Sequence, residues 1–181
     1  MLMDNGLIAA WGNLEDRARE IIRSDRRSTN VDFLIQFLVF PQFQSFVSWE
    51  ISRRGRDSSR QGYFALRTEW NRPFDAERLR TPLTQLRNGM VPLPTIEMEE
   101  FDLTDEYVAT LIGNINDLSI PAFPESGRFG IDGTTYEFFI DKSFASARYT
   151  WWMEPPAAWK PLGDIFHETL DHLNAIRREM G

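Results

Sequence analysis

The two histidines of the chain lie close together, in the run HETLDH of the last predicted helix. His167 and His172 are five positions apart, which places them about 140° apart around a helix axis. The zinc-binding HExxH motif needs a four-residue spacing that brings both imidazoles to one face. The run therefore predicts no metal site. It favours two surface pairs instead, His167 with Asp171 and Glu168 with His172.

Other common catalytic signatures are also missing from the sequence. The chain has no cysteine, which removes thiol nucleophiles, thiolate metal ligands and disulfides. Neither a GxSxG elbow nor an SxxK motif is present, and no GxxxxGK[ST] or GxGxxG phosphate loop occurs. We therefore assign no catalytic residue, no metal and no cofactor, and the sequence favours a protein that is not an enzyme.

A basic segment surrounds a predicted hairpin loop. Residues 53–87 contain nine arginines and four acidic residues. Guanidinium groups match the geometry of carboxylates and phosphates. The segment indicates either a solvated loop or a contact with an acidic partner, with nucleic acid as a further alternative. The candidate residues are Arg53, Arg54, Arg56 and Arg60, together with Arg67 in the strand that follows.

An acidic segment follows, with six acidic residues and no basic one between positions 97 and 106. In a strand, Glu97 and Glu99 share one face, whereas Glu100 lies on the other face. The segment lacks the spacing of a calcium loop. It predicts either a solvated strand edge or a surface for a protein partner, with Glu97, Glu99, Glu100 and Asp102 as candidates.

The aromatic stretch 128–159 predicts two consecutive hairpins. Asp132-Gly133 is a strong type I′ turn signal, because both positions of such a turn need positive φ. A second turn within residues 141–144 places Tyr136 opposite Tyr149 and Glu137 opposite Arg148. Two aromatic residues, Phe139 and Trp152, fall on the polar face. They are either covered by a helix or loop, or exposed to a partner.

The polar residues near this hairpin suggest a candidate pocket. Glu137 and Arg148 form a predicted ion pair across the two strands. His172 flanks the apolar stripe of the last helix and is the histidine better placed for a partly buried role. A ligand pocket beside the sheet would use Glu137, Arg148 and His172.

The remaining elements follow from hydrophobic periodicity and capping signals. Apolar residues recur at helical spacing from Leu7 to Ile22. Asn30 is a cap for a predicted short helix over VDFLIQFLVF. Alternation predicts strands over 44–53 and 62–70, then short helices after Asp75 and Thr81, a strand over 95–101, and helices after Thr104 and over 161–178.

This order predicts an α+β protein of one domain spanning 1–181. The domain has an N-terminal helical segment, 4–40, followed by sheet and helices over 44–178. Hairpin connections favour a largely antiparallel sheet of five to six strands, with helices packed on one face and at the ends.

The C-terminal third resembles a group of small uncharacterised bacterial proteins. The shared features are the GIDGTTYEFFI hairpin, the aromatic strand ARYTWW, the corner PPAAWKPL and a terminal amphipathic helix. The resemblance covers less than a third of the chain and consists of packing residues. It implies a bacterial origin and carries no activity to this chain.

Charge and composition complete the functional expectation. A net charge of −7 argues against general nucleic-acid binding, and no long apolar run predicts a membrane span. We expect a cytoplasmic protein that binds another protein, such as an immunity-type inhibitor or an accessory subunit. The alternatives are a small-ligand binding protein or enzyme with an aromatic-lined pocket, and a subunit of a nucleic-acid-associated complex that uses the loop 53–60.

Overall fold

The computed structural model describes residues 5–23, 31–54, 61–80, 93–125, 130, 132–142 and 145–180. Four α-helices span Asn5–Arg23 (α1), Arg72–Arg80 (α2), Asp105–Asn116 (α3) and Lys160–Met180 (α4). Six strands span Val31–Pro41 (β1), Val47–Arg54 (β2), Tyr63–Trp70 (β3), Ile96–Leu103 (β4), Thr134–Lys142 (β5) and Ala145–Trp152 (β6). A 3-10 turn over Ala157–Trp159 leads into α4.

The six strands form one antiparallel sheet in the order β4-β3-β2-β1-β5-β6. The predicted α+β class and antiparallel sheet are therefore confirmed. Thr104 caps α3 as predicted, because its side chain accepts a hydrogen bond from the Tyr107 amide at 3.3 Å. The predicted helix after Thr81 and the Asn30 cap lie outside the described residues.

The predicted helix over residues 31–40 is wrong, because this segment is the strand β1. β1 lies inside the sheet between β2 and β5. Phe37 is fully buried on one face and Leu38 on the other. A strand buried on both faces is apolar at nearly every position, so its sequence lacks alternation. The continuous run and its content of Val, Ile and Phe are the features of such a strand.

Helices cover both faces of the sheet, whereas the sequence places them on one face and at the ends. On one face, which we call the α4 face, Phe166 packs against Phe37, Phe138 and Trp151 at ring distances of 5.0–6.2 Å. On the other, the α1 face, the buried side of α1 packs with Leu38, Phe40, Phe46 and Trp70. The buried residues of α1 are Leu14, Ala18 and Ile22.

The β5–β6 hairpin has the predicted faces but a different register. Tyr136 pairs with Trp151 rather than with Tyr149, and Glu137 pairs with Thr150. The shift is two residues, and side chains alternate with a period of two, so every side chain keeps its predicted face. Arg148 now lies diagonal to Glu137, with its Nη1 3.5 Å from the carboxylate.

The predicted Asp132-Gly133 turn has a different physical basis. Residues 129 and 131 of its first strand lie outside the described part of the chain, and β5 pairs with β1. Gly133 does not adopt a positive φ. A Cβ at Gly133 would lie 2.6 Å from Nε1 of Trp152. Glycine is therefore needed at this position because the indole of Trp152 lies directly against the backbone.

Candidate functional site

The predicted acidic surface is divided between the two faces of β4. Glu97 and Glu99 lie on the α4 face, and the register of β4 places Glu100 and Asp102 on the α1 face. Asn71 donates a hydrogen bond to Glu97 at 2.6 Å. The guanidinium of Arg177 on α4 donates two to Glu99, at 2.6 and 2.9 Å. These acids therefore bind groups of their own chain.

The second half of the acidic segment binds the predicted basic segment. Arg54 donates hydrogen bonds to Glu100 and to Asp102, the latter at 2.8 Å. Burial acts to lower the pKa of Arg54, but the bonds to both carboxylates outweigh it and raise the pKa. Arg53 is exposed beside the ring of Tyr63. Arg56 and Arg60 lie outside the described residues.

The Glu99–Arg177 pair predicts a specific pH dependence of stability. The hydrogen bonds from Arg177 lower the pKa of Glu99 from 4.5, more than burial raises it. A carboxyl group whose pKa is depressed by folding stabilises the fold above its unfolded pKa and loses this effect as the pH falls. In urea titrations, Glu99→Gln should therefore be less stable than wild type at neutral pH, by up to about 1 kcal/mol for a partly exposed pair. The difference should vanish well below pH 4.5. A difference that persists in acid would contradict this assignment.

The two aromatic candidates, Phe139 and Trp152, are half-buried. The guanidinium of Arg148 lies 4.8 Å from the ring centre of Phe139. Trp152 covers Gly130 and Gly133. The group over Phe139 thus comes from the neighbouring strand and not from the predicted helix or loop, whereas Trp152 lies against residues that precede β5.

The predicted pocket of Glu137, Arg148 and His172 does not exist as a unit. Glu137 is buried on the α1 face, where Arg23 of α1 donates hydrogen bonds to both of its oxygens and Arg148 lies on its other side. His172 belongs to α4 on the opposite face of the sheet. Its imidazole stacks on Tyr107 of α3 at 4.2 Å. The two groups are separated by the sheet, so they cannot contact one ligand.

A groove on the α4 face brings together polar side chains from distant parts of the chain. It has a volume of about 580 Å³ and lies between α4, the β1–β2 turn and the ends of the central strands. Strands β3 and β5 provide Arg67, Glu69 and Tyr136. Helix α4 provides His167, Leu170, Asp171 and Asn174. Ligand pockets are commonly about 300–1,000 Å³, with a few convergent polar groups among apolar walls.

Arg67 is the most unusual residue of this groove. It is only 6% exposed, and its Nη2 lies 2.6 Å from Glu69, whereas Nη1 is 4.0 Å from Glu99. The Nε of Arg67 is buried without a hydrogen-bond partner. An unpaired buried donor of a charged group is costly. Arg67 therefore has hydrogen-bonding capacity that the described residues of the chain do not fill.

The rim of the groove carries exposed aromatic surface. Phe43 in the β1–β2 turn is 69% exposed and has a φ of 67°, in the left-handed region. Its carbonyl accepts a hydrogen bond from Arg72 at 2.6 Å. Pro73 also lines the groove, and Phe74 next to it is 54% exposed. Such a backbone conformation costs a bulky residue roughly 1–3 kcal/mol and is found mostly where function requires it.

The sequence singles out several of the groove residues, but it does not predict that they line one groove. Arg67 is grouped with the arginine-rich loop, and His167 and Asp171 are predicted to pair with each other. In the structure, His167 contacts the rings of Tyr136 and Phe166 at 5.1 and 5.4 Å. The one local signal is the alternation of β3, which sets Arg67 on the face opposite Phe64, Leu66, Thr68 and Trp70. Tyr136, Phe43 and Glu69 carry no local signal.

An α+β protein with a polar groove beneath its C-terminal helix is thus the class that fold and site define. Comparison of the chain with protein-family models, curated proteins and solved structures finds no match. In the described part of the chain, no helix has the length and apolar character to cross a membrane. The same residues contain no cluster of three acidic or histidine side chains arranged to hold a metal ion.

Proposed function

We propose that the chain is a non-enzymatic protein-binding module, as an immunity-type inhibitor or an accessory subunit is. Its docking surface is the end of the molecule where the β1–β2 turn, the start of α2 and the groove meet. We call this the Phe43 surface, defined by Phe43, Pro73 and Phe74. It replaces the acidic segment as the docking site, because the acids of β4 already bind Arg54, Asn71 and Arg177.

The exposed and strained Phe43 is the observation that carries this proposal. Aromatic side chains supply most of the energy at protein interfaces when they enter a pocket of the partner. The Arg72 hydrogen bond to the Phe43 carbonyl fixes the turn, so the ring is already oriented before a partner binds.

The docking test compares the loss of two exposed rings on the Phe43 surface with the loss of one fully exposed ring elsewhere. Partners are first captured on the wild-type protein and identified by mass spectrometry, and their affinity is then measured by calorimetry. Phe43→Ala combined with Phe74→Ala should weaken binding at least tenfold, the scale expected for aromatic hot spots. Phe123→Ala is the matched control, because Phe123 is 93% exposed in the connector after α3 and does not line the groove.

The comparison of these variants decides the proposal. Thermal unfolding of all variants must stay close to that of wild type, since each changed side chain is largely exposed. A partner that binds the double variant as well as the wild type would overturn the docking surface. Equal loss of binding in Phe123→Ala would show that aromatic area in general, and not the Phe43 surface, attracts the partner.

A second candidate function is binding of a small ligand in the groove. The convergence of Arg67, Tyr136 and Asp171 on one groove favours it, because ligand pockets combine a few convergent polar groups with apolar walls. This function needs Arg67, Tyr136 and the walls of the groove, whereas Phe74 is not part of its lining. Binding of a small metabolite that is unaffected by Phe74→Ala would favour it over the protein-binding module.

A further inference from the structure

Arg67 is a buried cation in the lining of the groove, and part of its guanidinium has no hydrogen-bond acceptor among the described residues. Of the five N–H groups of the Arg67 guanidinium, the structure places one terminal nitrogen on Glu69 and the other at 4.0 Å from Glu99. Glu99 is held by two hydrogen bonds from Arg177, which draw it away from Arg67. Nε has no partner. A guanidinium in this state attracts a further acceptor, and a carboxylate matches it best.

The walls around Arg67 define what must accompany the acceptor. Trp49 lies under the guanidinium, with 5.9 Å between Cζ and the ring centre, and Leu170 of α4 and Val47 of β2 line the same groove. These surfaces are apolar and shielded by α4. A ligand that fits them carries its carboxylate next to an apolar group.

We propose that the groove is a carboxylate-binding site, and that its occupant is a segment of the protein partner that presents a carboxylate beside an apolar side chain. The carboxylate binds the guanidinium of Arg67, and the apolar side chain packs against Val47 and Tyr136, which line the groove and are partly exposed. The source of the carboxylate rests on the proposed protein-binding function. The site itself is measured with small probes in the absence of any partner.

Glu69 is the internal competitor of the incoming carboxylate. Its side chain is 23% exposed and lies 2.6 Å from Nη2 of Arg67. An incoming carboxylate shares or takes over this nitrogen, so that one carboxylate exchanges for another and the cation stays neutralised. Neutralising Glu69 should therefore strengthen ligand binding. A residue with a purely structural role would not have this effect.

The test uses four capped probes and the side-chain N–H signals of ¹⁵N-arginine-labelled protein. N-acetyl-L-phenylalanine carries a terminal carboxylate, and N-acetyl-L-aspartyl-L-phenylalaninamide carries a side-chain carboxylate. Their controls are N-acetylphenylalaninamide and N-acetyl-asparaginyl-phenylalaninamide, which lack the charge. We expect a saturable shift of the Arg67 Nε–H signal with at least one carboxylate probe and not with its amide. The probe that binds more tightly identifies the partner's carboxylate as terminal or side-chain.

Variants separate this site from nonspecific charge attraction. Arg67→Lys keeps the charge but loses the planar fork; because it also removes the reporter signal, its affinity for the probes is measured by calorimetry and should fall below detection. Glu69→Gln should tighten binding roughly two- to fivefold, the size of one partly exposed charge interaction. Lys160→Gln is the matched control, because it removes an exposed cation at the opposite end of α4 and should change nothing. Equal responses to acid and amide, or weaker binding to Glu69→Gln, would overturn the proposal. Neither result depends on whether a partner needs Phe43.

Discussion

Replacing Asp75 by alanine should destabilise the protein by about 3–5 kcal/mol, the cost of removing one partner from a buried charged network. Asp75 is fully buried, accepts three hydrogen bonds and forms one ion pair. Trp70 Nε1 donates at 2.7 Å, the amide and hydroxyl of Thr95 donate at 2.8 Å each, and Nη2 of Arg78 lies 3.0 Å from the carboxylate. One carboxylate thus joins the end of β3, helix α2 and the residue that precedes β4.

The loss of stability arises from the buried hydrogen-bond donors that remain without an acceptor when Asp75 is removed. In Asp75→Ala, the indole N–H of the fully buried Trp70 and the amide of Thr95 lose their acceptor, and each unsatisfied buried group costs about 1–3 kcal/mol. Trp70 also packs on Phe46 and Trp11, so its displacement disturbs the core on the α1 face. The melting temperature should fall by about 10 °C for a domain of this size.

Two further variants test the explanation. Asp75→Asn keeps one oxygen acceptor and should cost roughly half as much as alanine, because the charge-assisted bonds are lost but not every donor is stranded. Asp164→Ala removes an exposed carboxylate paired with Lys160 and should cost less than about 1 kcal/mol. If Asp75→Ala unfolds at the same urea concentration as Asp164→Ala, the three hydrogen bonds and the ion pair of Asp75 do not stabilise the fold as described.

Local sequence signals correctly predict those helices and strands whose structure depends on residues close by in the chain. The β2–β3 hairpin alternates because each strand carries different residues on its two faces, and Thr104 marks the start of α3 by its own side chain. Strand β1 shows no such alternation. It is central and buried on both faces, so its run of apolar residues lacks the period of two, and periodicity alone does not separate such a strand from a buried helix.

The candidate site depends on contacts that local signals do not encode. Arg54 binds Glu100 and Asp102 from a strand more than forty positions earlier, and Arg177 binds Glu99 from a helix still further along. From the sequence alone, each of these charged side chains would be expected to face solvent. Only the strand order β4-β3-β2 and the placement of α4 show that the acidic and basic segments neutralise each other.

The predicted β5–β6 hairpin pairs the wrong residues but assigns each side chain to the correct face of the sheet. The size of the register shift explains this. Lys142 pairs with Ala145, so the centre of the β5–β6 hairpin lies one residue later in the chain than predicted, and this shifts each pair by two positions. An even shift leaves Glu137 on the α1 face. What the shift changes is its partner, because the direct neighbour becomes Thr150 and the main cation becomes Arg23, which no hairpin rule predicts.

At the Glu137 site, removing the cation Arg23 and removing the charge of Glu137 itself should have unequal effects on stability. Glu137 is 2% exposed, whereas the side chains of Arg23 and Arg148 are 38% and 44% exposed. Arg23→Ala leaves a buried carboxylate with Arg148 at 3.5 Å, and we expect it to cost about 2–4 kcal/mol, since an uncompensated buried charge is strongly unfavourable. Arg23 also lies over Phe40, so part of this loss is packing.

Removing the charge of Glu137 should cost less. In Glu137→Gln, both arginines can turn toward water, and the amide keeps a hydrogen-bond acceptor, so we expect a loss of about 1 kcal/mol. The double variant Arg23→Ala with Glu137→Gln should be more stable than Arg23→Ala alone, because it no longer buries an unpaired charge. Urea titrations of the wild type, the two single variants and the double variant give the coupling energy, which should exceed about 1 kcal/mol for groups in direct contact. Strictly additive losses would mean that Arg23 stabilises the fold by packing on Phe40 and not by neutralising Glu137.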